Sequence, residues 1–341
     1  MDKKPKKKNV LINTGWYKLL KMSAEHLEVE YINPEKENNH INPLDVRSVR
    51  DFQYHLTEKR NDPLVSITAA KFVGPLSFGY FSLCLWTAPN LLSLLKTACD
   101  YSKALSSPIK LHFKMTLKGD AEIYITQHEP YNNETLITKL GLNLFISTIV
   151  EIINKACNYT VISHIWLPYW PYTESEKKWV ENETHCNIHI GSPIRKIIIE
   201  RKYLYTELKD RDSDIYETSL NALRQQVATL ESTDIRLQVY NYLDKQHSLG
   251  NVNGTDVASH LGISFRTLNR RLIDSETSYR SILQEYRLEK ALYLLNNERI
   301  NMAEIAFRLG FSDLSAFSRA FKKWTGECPS KLNINNYHSK I

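Results

Sequence analysis

Two stretches near the end of the chain repeat one another 48 residues apart, and this repeat constrains the fold more than any other feature. The first is Val257-Ala258-Ser259-His260-Leu261-Gly262-Ile263-Ser264, continued by Phe265-Arg266-Thr267-Leu268-Asn269-Arg270-Arg271-Leu272. The second is Ile305-Ala306-Phe307-Arg308-Leu309-Gly310-Phe311-Ser312, continued by Asp313-Leu314-Ser315-Ala316-Phe317-Ser318-Arg319-Ala320-Phe321. In each, a short helix buries an aliphatic residue, Ala258 or Ala306, and Leu261 or Leu309. Gly262 or Gly310 then supplies the left-handed conformation that ends a helix and turns the chain. Ile263 or Phe311 plugs the corner, and Ser264 or Ser312 is placed to cap a second helix. That second helix buries Leu268 and Leu272 in one copy, Phe317 and Phe321 in the other. This is the grammar of a helix-turn-helix, whose second helix enters a major groove.

The offset grows to 49 residues from Leu268 and Phe317 onward, so the second recognition helix starts with one extra residue. Between the copies the spacing predicts a helix over Tyr279 to Leu295, with Ile282, Leu283, Tyr286, Ala291, Leu294 and Leu295 on its buried stripe. Seventeen residues at ~1.5 Å each make a rod of ~25 Å, suited to holding two recognition helices about one DNA turn apart. Asn301 and Glu304 form a cap for the second unit.

Opposite the apolar positions, Arg266, Asn269 and Arg270 share one helical face at i, i+3 and i+4, and are expected to read base edges. In the second copy the matching set is Leu314, Ser315, Ala316, Ser318 and Arg319. Only Arg319 has long hydrogen-bonding reach there, while Leu314 or Ala316 suits a thymine methyl. The second unit is therefore expected to discriminate bases less sharply. Arg271, Lys322 and Lys323 are expected to neutralise phosphates, with a solvated face or a bracing arginine as the plainer alternative.

The formal charge of +6 fits this end of the chain. Residues 1–10 carry +4, residues 233–341 another +4, and the middle is mildly acidic at −2. Met1 to Val10 holds five lysines and is expected to be a disordered, solubilising tail within a basic segment 1–14.

At 341 residues, two domains are expected. The N-terminal one, over 15–215, mixes strands and helices as an α/β (α+β) effector-type domain. A hairpin is expected over Ile109 to Thr126, turning at Lys118-Gly119-Asp120. Helices are expected from Pro89 and over 136–156, and strands over Tyr159 to Trp166 and Arg195 to Glu200. Residues 216–232 read as a linker helix, 233–333 as an all-α domain with two helix-turn-helix units joined by a central helix, and 334–341 as a tail. Leu136 to Ala156 is the most apolar stretch, but Lys139, Asn143, Glu151 and Lys155 mark it as a buried helix of a soluble protein. No secretory leader is expected, which places the protein in the cytoplasm with its DNA.

Residues 233–333 resemble the DNA-binding domain of the AraC/XylS family of bacterial transcription regulators. The likeness is carried by Gly310-Phe311-Ser312, by Phe317-Ser318-Arg319-Ala320-Phe321-Lys322-Lys323-Trp324-Thr325-Gly326 and by Pro329-Ser330. Trp324 stands where that family usually has Tyr or Phe. The resemblance implies double-stranded DNA and RNA polymerase as partners, a homodimer as an option, and base contacts at Arg266, Asn269 and Arg270. Gly79-Tyr80 leading into Ala88-Pro89-Asn90-Leu91, and His164 followed by Pro168, resemble the arabinose-binding-like N-terminal domain of a subset of these regulators. That likeness implies an effector-sensing or oligomerising module without implying arabinose.

His164, Trp166, Tyr169, Trp170 and Tyr172 are the candidate effector pocket, with a core or interdomain contact as the alternative. Five unpaired-looking cysteines without a Cys-x-x-Cys suggest free thiols. His185, Cys186 and His189 lie close together, but without a partner cluster no metal is expected. No cofactor and no catalytic residue is expected either. The competing functions are a non-sensing architectural or protein-interaction regulator, and a DNA-repair enzyme fused to a helix-turn-helix domain.

Overall fold

Apolar residues spaced for helices dominate both halves of the chain, and among the described residues one five-stranded sheet forms. The computed structural model describes residues 12–31, 46–105, 109–127, 138–162, 164–192, 194–275, 277–297, 301–325 and 328–331. The expected basic start up to residue 11, Gly326 and the expected tail 334–341 lie outside these. The chain divides into two units between Val227 and Ala228, inside a helix.

The first unit contains α1 (Gly15–His26), α2 (Val46–Arg60), α3 (Val65–Ala69), α4 (Tyr80–Thr87) and α5 (Leu91–Asp100). Strands β1 (Ile109–Met115) and β2 (Ala121–Gln127) follow, then α6 (Lys139–Cys157), β3 (His164–Leu167), α7 (Glu174–Thr184), β4 (Asn187–Ile190), β5 (Arg195–Ile199) and α8 (Arg201–Leu204). α9 (Ser213–Thr233) crosses the division, and Leu220, Leu223 and Val227 on it belong to the first unit's core.

The sheet has the order β1-β2-β5-β3-β4. Its pairs are antiparallel except β3–β4, which run parallel because α7 carries the chain across between them. Leu111, Phe113, Ile123, Ile125, Ile165, Ile197 and Ile199 face the helical core on one side. Local chemistry sets the helix ends. Asn90 caps α5 by accepting from the Ser93 amide (2.9 Å), so Pro89 lies before the cap rather than inside the first turn. Thr138 caps α6, and Asn158, left-handed at φ 59°, closes it. That closure shortens the strand expected from Tyr159; it begins at His164. Thr173 and Glu176 make a reciprocal capping box that starts α7.

α6 is long and apolar enough to cross a membrane by length and composition, at a mean hydropathy of 1.4. Its Leu142, Phe145, Ile149, Ile152 and Ile153 instead pack inside the core.

The second unit is all-helical among its described residues: α10 (Ile235–Asp244), α11 (Gly254–His260), α12 (Phe265–Asp274), α13 (Tyr279–Asn297), α14 (Met302–Arg308) and α15 (Leu314–Thr325), then a short 3-10 turn Pro329–Lys331. It holds two small cores. Val239, Tyr240, Leu243, Val257, Ala258, Leu268 and Leu272 form the first with Ile282 and Tyr286 of α13. Ile305, Ala306, Leu309, Phe317 and Phe321 form the second with Ala291 and Leu294 of the same helix.

Candidate nucleic-acid interface

In the first helix-turn-helix, the Asn253 side chain accepts from the Thr255 and Asp256 amides while Asp256 reaches back to the Asn253 amide (3.1 Å). α11 ends in a sharp turn. Gly262 sits at φ 66°, and the Ile263 amide donates to the Ala258 carbonyl (3.0 Å). Ser264 then caps α12 by accepting from the Thr267 amide (3.1 Å). The second copy repeats the sequence of events. Asn301 accepts from the Glu304 amide (2.8 Å), Gly310 sits at φ 76°, and the Phe311 amide donates to the Ala306 carbonyl (2.9 Å).

One expectation is corrected. Ser312 does not cap the second recognition helix. Asp313 does, accepting from the Ala316 amide (2.7 Å), while the Ser312 hydroxyl donates to the other Asp313 oxygen (3.0 Å). These donors hold the Asp313 carboxyl below its ordinary range. Asp313 is thus the extra residue behind the change of offset from 48 to 49: cap matches cap, Ser264 to Asp313.

From the caps onward the two recognition helices align at an offset of 49, so Arg266, Asn269 and Arg270 correspond to Ser315, Ser318 and Arg319. Arg266, Arg270, Arg271, Leu314, Ser315, Arg319, Lys322 and Lys323 are exposed, while Asn269, Ala316 and Ser318 are half-buried. Leu268, Leu272, Phe317 and Phe321 are fully buried on the opposite sides. Of the corner residues, Leu261, Ile263 and Phe311 are half-buried against the two cores.

The two helix-turn-helix copies are joined by more than the central helix. The Leu249 amide donates to the Arg308 carbonyl (3.0 Å), and the Ser248 hydroxyl donates to the Phe307 carbonyl (3.1 Å). A side chain on Gly310 would lie 2.5 Å from the Leu249 carbonyl carbon and 2.6 Å from the Gly250 nitrogen, so the two backbones touch where only glycine fits. Arg287 of α13 extends over the Phe311 ring (5.1 Å) and donates to the Gly310 carbonyl (3.5 Å). The turn of the second copy is therefore tied directly to the α10–α11 loop ahead of the first. Nothing in the repeat itself foretold this, because the contact joins one copy's turn to a loop that precedes the other.

Residues 257–333 match a family model described as a helix-turn-helix domain. Over 79 residues the chain is 44% identical to an HTH-type transcriptional regulator of Mycobacterium tuberculosis, a stretch that makes up 23% of each protein. Over 73 residues it is 44% identical to the ornithine utilization regulator of Pseudomonas aeruginosa, covering 21% of this chain and 22% of that one. The C-terminal segment is an AraC-type helix-turn-helix domain. The chain thus spans only about a quarter of the length of these curated relatives, 23% and 22%. Among solved structures, the transcriptional regulator CdpR from Pseudomonas aeruginosa aligns with 96% of this chain and 100% of its own at 20% identity and a TM-score of 0.47.

Upstream of the AraC-type domain, the five candidate effector residues separate into two pairs and the single residue Tyr169. Trp166 belongs to a row of side chains that crosses the whole sheet on its face away from the helical core, and His164, two residues earlier on the same strand, touches the His189 end of that row. In register, His112, Tyr124, Lys196, Trp166 and His189 stand opposite one another from β1 to β4. His112 stacks on Tyr124 (4.7 Å), the Lys196 ammonium lies over Trp166 (5.6 Å), and Trp166 stacks on His189 (4.3 Å). Burial pulls the Lys196 ammonium below its ordinary range, with Glu122 opposing the shift. Trp170 and Tyr172 form the other pair. They meet edge-on at 5.3 Å, and Tyr172 accepts a hydrogen bond from Asn143 (2.6 Å). Tyr169 is exposed, with Lys139 over its ring (5.6 Å). Strand alternation separates the groups: Trp166 is fixed on one sheet face, whereas the others follow the strand's end.

A small cavity lies elsewhere, lined by Ile12, Trp16, Val49, Gln53, Leu144 and Phe145 among others, with about 30 Å³ of space. His185, Cys186 and His189 do not converge. Cys186 is buried and donates to the Ile162 carbonyl (2.9 Å), His185 occupies the left-handed end of α7, and His189 shares a hydrogen bond with His164 (2.9 Å). Among the described residues no group of three His, Cys, Asp or Glu gathers. Burial pushes the Cys84 and Cys186 thiols up to about 11 and Cys157 up to about 12, which keeps them protonated at neutral pH.

His189 is held below its ordinary value near 6.5, first by burial, then by His164 and Lys177, with Glu181 opposing. The unfolded chain therefore takes up this proton before the folded one. Stability from this group is full above pH ~6.5 and falls as the pH drops below it. The melting temperature of the first unit should fall more steeply between pH ~7 and ~5 in the wild type than in His189→Gln; parallel curves would rule this out.

Proposed function

We propose that this chain is a sequence-specific transcription regulator that binds double-stranded DNA through its AraC-type domain. The observation that carries this reading is the pair of matched helices, α12 and α15, each presenting an exposed polar stripe while burying its other side in its own core. α13, with 19 residues, gives a rod of ~28 Å, close to one DNA turn of ~34 Å. In this reading Arg266, Asn269 and Arg270 contact base edges. Leu314, Ser315, Ala316, Ser318 and Arg319 make a weaker second reading, and Arg271, Lys322 and Lys323 contact phosphates. The reading assigns 15–215 to sensing or oligomerisation, 216–232 to a linker helix whose Leu220, Leu223 and Val227 pack into the first unit, and 233–333 to DNA, in the cytoplasm beside RNA polymerase.

Arg270→Ala should weaken binding to a selected site by ~1–3 kcal/mol and random DNA less. Lys322→Ala should weaken both alike and lower the salt slope by about one. Gel shifts across salt concentrations measure both. If Arg270→Ala leaves the preference for the selected site intact, the base-reading assignment fails.

A second reading is regulation without a small-molecule effector: the cavity beside Trp16, at about 30 Å³, holds only one or two waters, so a metabolite would need a second space, about 440 Å³, lined by Pro89, Asn90, Tyr205, Glu207, Arg211 and Ser213. Thermal-shift screening of the full chain against a metabolite panel separates the two, since a sensing unit should gain stability from one compound class.

A further inference from the structure

The exposed stripe of α12 continues beyond Arg270. Ile273 lies three residues after Arg270, four after Asn269 and seven after Arg266, so all four share one face. Its side chain is 69% exposed, although Leu268 and Leu272 on the same helix are fully buried. At the matched position of α15 stands Lys322, also exposed. The stripes thus read Arg, Asn, Arg, Ile in the first unit and Ser, Ser, Arg, Lys in the second.

The difference at the last place is chemical. A lysine there attracts any phosphate, whatever the sequence. An isoleucine has no such attraction and offers only apolar surface, which stays in water until something covers it. On the major-groove edge of DNA the apolar group is the C5-methyl of thymine; 5-methylcytosine presents the same group.

We propose that Ile273 is a specificity-determining residue that buries a pyrimidine C5-methyl, thymine in unmodified DNA, beside the base pair read by Arg270. The proposal rests on α12 being the base-reading helix. Three residues advance ~4.5 Å along a helix, and adjacent base pairs are ~3.4 Å apart, so the methyl belongs one base pair beyond the one contacted by Arg270. Together with the polar stripe this makes the first unit the reader of sequence and the second, ending in Lys322, the anchor.

The test uses the full-length chain as wild type, Ile273→Ala, Ile273→Lys and Arg270→Ala, each selecting duplexes from a random pool. The exposure of Ile273 allows all variants to fold, and equal melting temperatures check that. The wild type should select thymine one base pair beyond the position lost in Arg270→Ala, and Ile273→Ala should lose the preference at that pair alone. Replacing that thymine by deoxyuridine, which removes only the methyl, should weaken wild-type binding by about three- to tenfold and leave Ile273→Ala unchanged. A 5-methylcytosine there should bind the wild type better than cytosine does. Ile273→Lys should accept any base at that pair and steepen the salt slope by about one. Wild type and Ile273→Ala selecting the same base there, or deoxyuridine binding as well as thymine, overturns the proposal while the base-reading role of Arg270 stands. A wild type that selects no sequence at all overturns both.

Discussion

Gly310→Ala should destabilise the second helix-turn-helix by about 2–5 kcal/mol, whereas Gly262→Ala, its counterpart in the first, should cost only about 1–2 kcal/mol. Both glycines are left-handed, at φ 76° and 66°, so both substitutions carry the cost of forcing a side chain into that region. They differ in surroundings. A methyl at residue 262 meets nothing within 4 Å, while one at residue 310 lies 2.5–2.7 Å from the backbone of Leu249 and Gly250. Moving that backbone aside would strain the bond from the neighbouring Leu249 amide to the Arg308 carbonyl. Hydrogen exchange of the full chain measures the difference: amides of α14 and α15 should lose protection in Gly310→Ala and keep it in Gly262→Ala. DNA affinity should drop more than tenfold in Gly310→Ala, since the second recognition helix is no longer held relative to the first. Equal effects of the two substitutions would show that the backbone contact contributes nothing.

Phe317→Ala should cost about 3–5 kcal/mol, the range for deleting a fully buried phenyl ring. Phe317 is 0% exposed and lies between Phe311 (5.7 Å) and Phe321 (5.6 Å). Its core contains only seven described buried residues, so no large reserve absorbs the loss. The cores of the two units are separate, with α13 contributing different residues to each. Phe317→Ala should therefore unfold α14 and α15 locally while amides of α11 and α12 retain protection. Loss of protection throughout residues 235–325 would show that the two cores melt as one.

The AraC-type domain was legible because its sequence repeats a short-range grammar. A cap, an apolar stripe, a glycine and a second cap each act over four residues or fewer, and two copies made the pattern specific. The N-terminal unit was less legible for an equally physical reason. α7 buries only Val180, so its sequence carries almost no apolar periodicity, and the capping box Thr173–Glu176 was its one local sign. α1 and α2 bury mixed sets that include Ser23 and Gln53, which blur a helical stripe. The aromatic residues from Trp166 to Tyr172 looked like one cluster because they are close in sequence. A strand points Trp166 to the face it shares with Lys196 and His189, and the chain then leaves the sheet.

By itself the sequence determined the two recognition helices, their buried and exposed sides, and the glycine turns between helices. These depend on neighbours within a turn or two, and the residue types suffice. Only the tertiary structure decided that Asp313 rather than Ser312 caps the second recognition helix, that Gly310 is pressed against Leu249 and Gly250, and that one row of side chains crosses all five strands. Those outcomes depend on which distant segments meet, and a contact across sixty residues of chain leaves no periodic mark in either partner.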